Sequence, residues 1–131
     1  ANIQIKKNHF ASTNGLFIHT ETEFKSDMNG NYHLVIFLIR NSVIAPQKMS
    51  NGSTNYNYNH HSVLTDNING VWGTEISSSN VSSGSKFYND FSFELIDPSI
   101  DSSFTIDNLS LITLLFERNT FEVIQVIKTN L

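Results

Sequence analysis

From Leu16 to Lys25 apolar and polar side chains alternate without a break: Leu16, Ile18, Thr20, Thr22 and Phe24 fall on one face, and Phe17, His19, Glu21, Glu23 and Lys25 on the other. Successive side chains of an extended chain point to opposite sides, so a period of two makes a strand with one wet face. The run from Lys86 repeats the arrangement, with Phe87, Asn89, Phe91, Phe93 and Leu95 opposed to Lys86, Tyr88, Asp90, Ser92 and Glu94. Strands of this kind bury one face against a second layer.

The remaining segments read the same way. Ile3 and Ile5 alternate with Gln4 and Lys6, so the chain opens inside a strand. Tyr32 to Arg40 is apolar on both faces, as in a central strand covered on two sides. Asn29-Gly30 precedes it and predicts a tight hairpin that pairs Tyr32–Arg40 with Leu16–Lys25. Pro46 ends that strand, and the next strong pattern is Val71 to Ile76, a gap long enough to mark a functional loop with Met49 to Asn59 as its polar tip. His60 to Asn67 fits either a helical turn or an extended return. Ser77 to Ser85 has the composition of a flexible link, Asp97-Pro98 stops the strand from Lys86, and Ile100 to Asn108 is a loop with room for one helical turn. Leu109–Glu117 and Phe121–Lys128 form the last pair, turned at Arg118-Asn119-Thr120. The sum is about seven strands, an all-β antiparallel β-sandwich of immunoglobulin-like or related Greek-key type.

At 131 residues the chain is one domain, residues 1–131, large enough to remove roughly two thirds of its unfolded surface from water. With no cysteine it contains no disulfide framework, thiolate metal site or cysteine nucleophile. A net charge of −4 and eight scattered Lys and Arg argue against a nucleic-acid partner or an anionic-membrane surface. A chain that begins within a strand and shows no leader is expected to be an excised piece of a longer precursor.

No catalytic constellation is present. Serines are abundant, yet there is no GxSxG elbow or SxxK spacing, and no P-loop or dinucleotide glycine motif. His60 and His61 are adjacent, so on an extended chain they point to opposite faces and do not chelate one ion; no metal ligands and no cofactor are expected. Glu21 and Glu23 share a face with Lys25 and read as a solvated surface. Trp72, the only tryptophan, reads as a core residue, with a stacking platform as the rival. Tyr56 and Tyr58, interleaved with Asn55 and Asn57, have the Tyr and Asn chemistry of adaptable contact surfaces and are the candidate ligand-binding residues; a disordered tip is the rival reading.

One stretch carries a family resemblance. The order of a strand, Ile44-Ala45-Pro46-Gln47, an insert, Tyr58-Asn59-His60-His61-Ser62-Val63-Leu64, then Asn69-Gly70-Val71-Trp72-Gly73 resembles the C-terminal half of the twenty-eight-kilodalton outer-membrane lipoprotein family of Gram-negative anaerobes. That family pattern has an APQ or GPQ element, a histidine-rich step into Val-Leu and a closing G-x-W-G; here the two histidines are adjacent, where the family more often separates them by an asparagine. The motif positions are Pro46, Gln47, His60, His61, Val63, Leu64, Trp72 and Gly73. The resemblance implies a lipoprotein exposed on the bacterial outer membrane and held there only through an upstream lipid anchor. It also implies a thioredoxin-like domain ahead of this sandwich, and no defined reaction. The resulting expectation is a non-catalytic module for adhesion or ligand binding, with a host protein or glycan as partner. The alternative is a structural or docking domain that supports the thioredoxin-like domain. In that framework Pro46 ends a strand, Val63 and Leu64 anchor the returning loop to the core, and Trp72 closes one end of the sandwich.

Overall fold

The two alternating segments separate as their pattern requires. Leu16, Ile18, Thr20, Thr22 and Phe24 are all buried, whereas Phe17 and His19 face solvent. In the computed structural model, which describes residues 1–131, the strands are β1 (Asn2–Phe10), β2 (Gly15–Glu23), β3 (Met28–Asn29), β4 (Tyr32–Lys48), β5 (Thr54–Asn67), β6 (Thr74–Ser77), β7 (Asn80–Val81), β8 (Lys86–Glu94), β9 (Leu109–Glu117) and β10 (Val123–Asn130). Two 3-10 turns, Ser102–Phe104 and Ile106–Asn108, lead into β9. The class is all-β, with every pairing antiparallel.

Two sheets face each other. One has the order β1-β2-β8; the other runs β10-β9-β4-β5, with β6 on the start of β4, and β3-β7 makes a small third ladder. Leu16 and Ile18 from the first sheet meet Ile36, Leu38, Leu109 and Leu111 from the second, with Leu95 and Phe104 beside them. A second cluster joins Ile3, Phe24, Tyr32, Leu34, Val81 and Leu115. Each such side chain taken fully out of water contributes about 1.5–3 kcal/mol, which is why the two oily faces stay together.

The strand partners differ from those the sequence predicts. β2 pairs with β1 and β8, and β4 pairs with β9, β5 and β6, so no hairpin joins Leu16–Lys25 to Tyr32–Arg40. The tight turn needs positive φ at both central residues, and neither Asn29 nor Gly30 adopts it. Instead the segment crosses from one sheet to the other, with β3 pairing Met28 to Val81 on the way. That crossing also organises much of the serine-rich link: Val81 is buried, Ser83 N–H donates to Asp27 Oδ1 at 2.7 Å and Gly84 N–H to the Phe24 carbonyl at 2.7 Å.

Pro46 does not end its strand. β4 continues to Lys48, and β5 returns along it, so the expected loop is a long hairpin. Ala45 pairs with Tyr58 and Gln47 with Asn55, leaving Tyr56 and Asn57 together opposite Pro46. This bulge absorbs the rung for which proline has no N–H. The expected strand from Val71 shortens to Thr74–Ser77.

Candidate functional site

Beyond the Ser42–His61 pair, β4 and β5 leave the sandwich as a two-stranded arm about 20 Å long by the rise of a strand. Its polar sequence permits this, because Lys48 is the only formal charge between Ser42 and His61 and there is little apolar surface to pull the arm inward. The tip is a turn over Met49–Ser53 in which Met49 N–H donates to the Ser53 carbonyl at 2.8 Å and Asn51 Oδ1 accepts from Ser53 N–H and Oγ–H at 3.0 and 2.6 Å. Gly52, at φ +86°, supplies the left-handed residue that closes it.

Tyr56 and Tyr58 therefore sit on an ordered strand and not on a loose tip. Tyr56 is 71% exposed, Ile44 on the facing strand 59%, and Tyr58 stands edge-on against the His60 ring with centroids 4.9 Å apart. Asn55 Oδ1 accepts from Asn57 N–H at 3.0 Å, which stabilises the bulge. Pro46 and Gln47 are exposed opposite them. The outer edge of β5 is unpaired, and it has no proline and no charged residue until Asp66, so its backbone can accept another strand.

His60 and His61 point to opposite faces, paired with Val43 and Ser42. No three His, Asp or Glu side chains converge at a spacing that would hold an ion. Val63 is half-buried, but Leu64 is 62% exposed, because Thr65 is an extra residue in the ladder that re-aims the chain beside Ile39. Leu64 thus does not anchor the hairpin to the core.

Trp72 differs most from its sequence reading. It is 49% exposed and lies in the turn before β6, between Gly70 (φ +94°) and Gly73 (φ +71°). A Cβ on Gly73 would lie 2.2 Å from the Leu34 carbonyl oxygen, so only glycine lets the turn approach β4 this closely. Asn69 completes the seat: its Nδ2 donates to the Leu34 carbonyl at 2.7 Å and its Oδ1 accepts from Ile36 N–H at 2.9 Å. The indole then stacks on Arg118, whose guanidinium carbon is 3.7 Å from the ring centroid, with Phe121 at 5.9 Å. Arg118 and Phe121 were invisible as partners of Trp72 in the sequence: its pattern places Arg118 in a turn and Phe121 at the start of the last strand, which begins only at Val123.

Glu117 shapes that turn. It is buried, and its oxygens accept from Asn31 N–H (3.1 Å), Asn119 N–H (3.1 Å) and Thr120 N–H (2.8 Å). Burial pushes its pKa upward, but the Asn119, Asn31 and Thr120 donors together outweigh this and leave it below the usual glutamate value. On the opposite sheet, His19 Nδ1 lies 2.6 Å from Asp90 Oδ1, and Glu21 and Glu23 are bridged by Lys86 at 3.3 and 3.9 Å, with Lys25 also on Glu23. Two carboxylates tied to lysines on an open face act as a surface ladder.

A family model described as "Outer membrane protein Omp28" matches residues 1–131. Among solved structures, the fold is similar to a domain of the outer membrane lipoprotein Omp28 from Porphyromonas gingivalis. The TM-score is 0.60 and the identity 16%, over 100% of this chain and 88% of that one. No curated protein sequence matches.

Proposed function

The chain belongs to the outer membrane protein Omp28 family, and from that premise we propose that it is a non-catalytic surface module of an outer-membrane lipoprotein that captures a ligand or host surface through its β4–β5 arm. One observation carries the reading: an ordered arm stands off the sandwich with Tyr56 at 71% and Ile44 at 59% exposure beside an unpaired strand edge. Tyrosine and asparagine on such an arm provide contact area with adaptable hydrogen bonding. Binding to immobilised host matrix proteins and glycans is expected to fall at least tenfold when Tyr56 and Tyr58 both become Ala. Unchanged binding rejects the arm as the contact surface.

A second observation favours docking. Cross-strand pairing places Val126, Leu114 and Val35 in one row and Val123, Phe116 and His33 in the next, all on the outer side of the second sheet. Val123 and Val126 are 52% and 46% exposed there. We infer that this face seats the thioredoxin-like domain of the longer protein. Amide exchange at Leu114 and Val126 is then slower in the longer protein than in this domain alone; equal rates reject the seat.

A further inference from the structure

We propose that Trp72, Arg118 and Phe121 form a receptor for the carboxylate of an acidic sugar, at the end of β4 opposite the arm. The chain has two arginines, and they are used differently. Arg40 is committed: its Nε donates to Thr65 Oγ1 at 2.9 Å, one terminal nitrogen to Ser103 Oγ at 2.9 Å, and Asp101 lies at 3.6 Å. Arg118 is half-buried and has no side-chain acceptor; the five ion pairs of the molecule are made by His19, Lys25, Arg40 and Lys86. Its guanidinium instead stacks on Trp72, 3.7 Å from that ring's centroid, with the Phe121 ring to one side at 5.3 Å. A stacked guanidinium keeps its planar N–H fork free at the edge, which is the geometry that takes a carboxylate by two parallel bonds.

The surroundings hold this group ready without neutralising it. Glu117, the adjoining acid, is occupied by the backbone N–H groups of Asn31, Asn119 and Thr120. Phe121 sits at φ +60°, a left-handed conformation that a bulky residue adopts at a cost, locked by its N–H donating to the Glu117 carbonyl at 2.8 Å. Trp72 is fixed from behind by His33 Nδ1, which donates to its carbonyl at 2.9 Å. Yet Trp72 is 49% exposed and Phe121 57%, with Val71 at 74% beside them. Strained backbone thus carries open aromatic surface next to an unpaired cation, an arrangement with no role in the core.

The class of ligand follows from what the corner offers. Apolar ring faces suit the C–H faces of a sugar, and the fork suits a uronate. The edge of β4 itself offers a peptide strand no template, because it is already filled by Ile68 N–H on the Ile36 carbonyl, by the Asn69 amide and by β6. The site does not use the arm, so its test stands apart from that of Tyr56 and Tyr58.

Because Trp72 is the only tryptophan, its fluorescence reports the site directly. The protein is titrated with an unsulfated oligosaccharide containing glucuronic acid, with the same oligosaccharide after reduction of its carboxyl groups, and with a glutamate-rich tetrapeptide. Saturable quenching is expected with the first, at least tenfold weaker binding with the second, and weaker binding still with the peptide. Arg118→Gln abolishes the response, and Arg118→Lys, which keeps the charge without the fork, weakens it at least tenfold while circular dichroism stays unchanged; Tyr56→Ala with Tyr58→Ala leaves it intact. No saturable response, equal response to the reduced oligosaccharide, retention in Arg118→Gln, or tighter binding of the peptide overturns the proposal.

Discussion

The side-chain amide of Asn69 occupies two rungs of the ladder at Leu34, donating to its carbonyl at 2.7 Å and accepting from Ile36 N–H at 2.9 Å. A side chain here does the work of a strand between the last pair with β5, Phe37 with Asn67, and the first with β6, Leu34 with Thr74. Asn69→Ala leaves Ile36 N–H without its partner and removes one donor from the Leu34 carbonyl, and an orphaned backbone group costs about 1–3 kcal/mol. The expected readout is a lower urea midpoint with an unchanged m-value, together with faster amide exchange at Ile36.

Gly73 and Gly52 make a matched test of why the turn before β6 needs glycine. Both have positive φ, +71° and +86°, but a Cβ at Gly52 meets nothing within 4 Å whereas one at Gly73 meets the Leu34 carbonyl at 2.2 Å. Gly52→Ala is expected to cost about 1 kcal/mol, the left-handed penalty alone. Gly73→Ala adds a backbone clash and is expected to cost at least about 3 kcal/mol by chemical denaturation and to shift Trp72 fluorescence.

Two threonines in the core are replaceable. Thr22 and Thr113 are fully buried, and neither hydroxyl has a hydrogen-bond partner. Removing a desolvated, unpaired hydroxyl while keeping the branched shape is expected to be neutral or to stabilise by up to about 1 kcal/mol for each Thr→Val change. Ser110→Ala goes the other way: its hydroxyl is bonded to Asn41 and Asn130, at 2.8 and 3.0 Å, and its loss is expected to cost about 1 kcal/mol.

Acid should weaken the fold through Glu117. Its folded pKa lies below the ordinary value of 4.5, so the unfolded chain binds its proton first as the pH falls. The stability it contributes is complete above that ordinary value and is lost as the pH drops through the folded one. Asp97 and Asp101, lowered by their bonds to Ser99 and Ser103, act in the same direction. The melting temperature is therefore expected to be flat from about pH 7 to about pH 5 and to fall below about pH 4.5. Glu117→Gln is expected to lower it at neutral pH and to flatten the acid limb.

How much of this was legible in the residues depends on the range over which each property is set. The faces of β2 and β8 were, because alternation is a local consequence of extended backbone: Leu16 through Phe24 and Phe87 through Leu95 point where their spacing says. The family was legible as well, through a resemblance carried by short runs such as Ala45-Pro46-Gln47 and Gly70-Val71-Trp72-Gly73, and the family match spans residues 1–131. Partners were less so. That β2 pairs with β8 and not with β4 rests on a crossing at Met28–Asn29 whose φ values contradict the Asn-Gly signal.

The chain alone thus settled the all-β class, the oily and wet faces of β2 and β8 and the family resemblance, because these depend on neighbours two to five residues away. Pairing across the sandwich settled the rest. The arm continues past Pro46 only because Tyr56 and Asn57 bulge on the strand opposite, and Trp72 faces outward only because Arg118 and Phe121, remote in the chain, arrive beneath it on the last turn. Such contacts are absent from local pattern because the free energy that selects them is shared between segments that meet only when both sheets close.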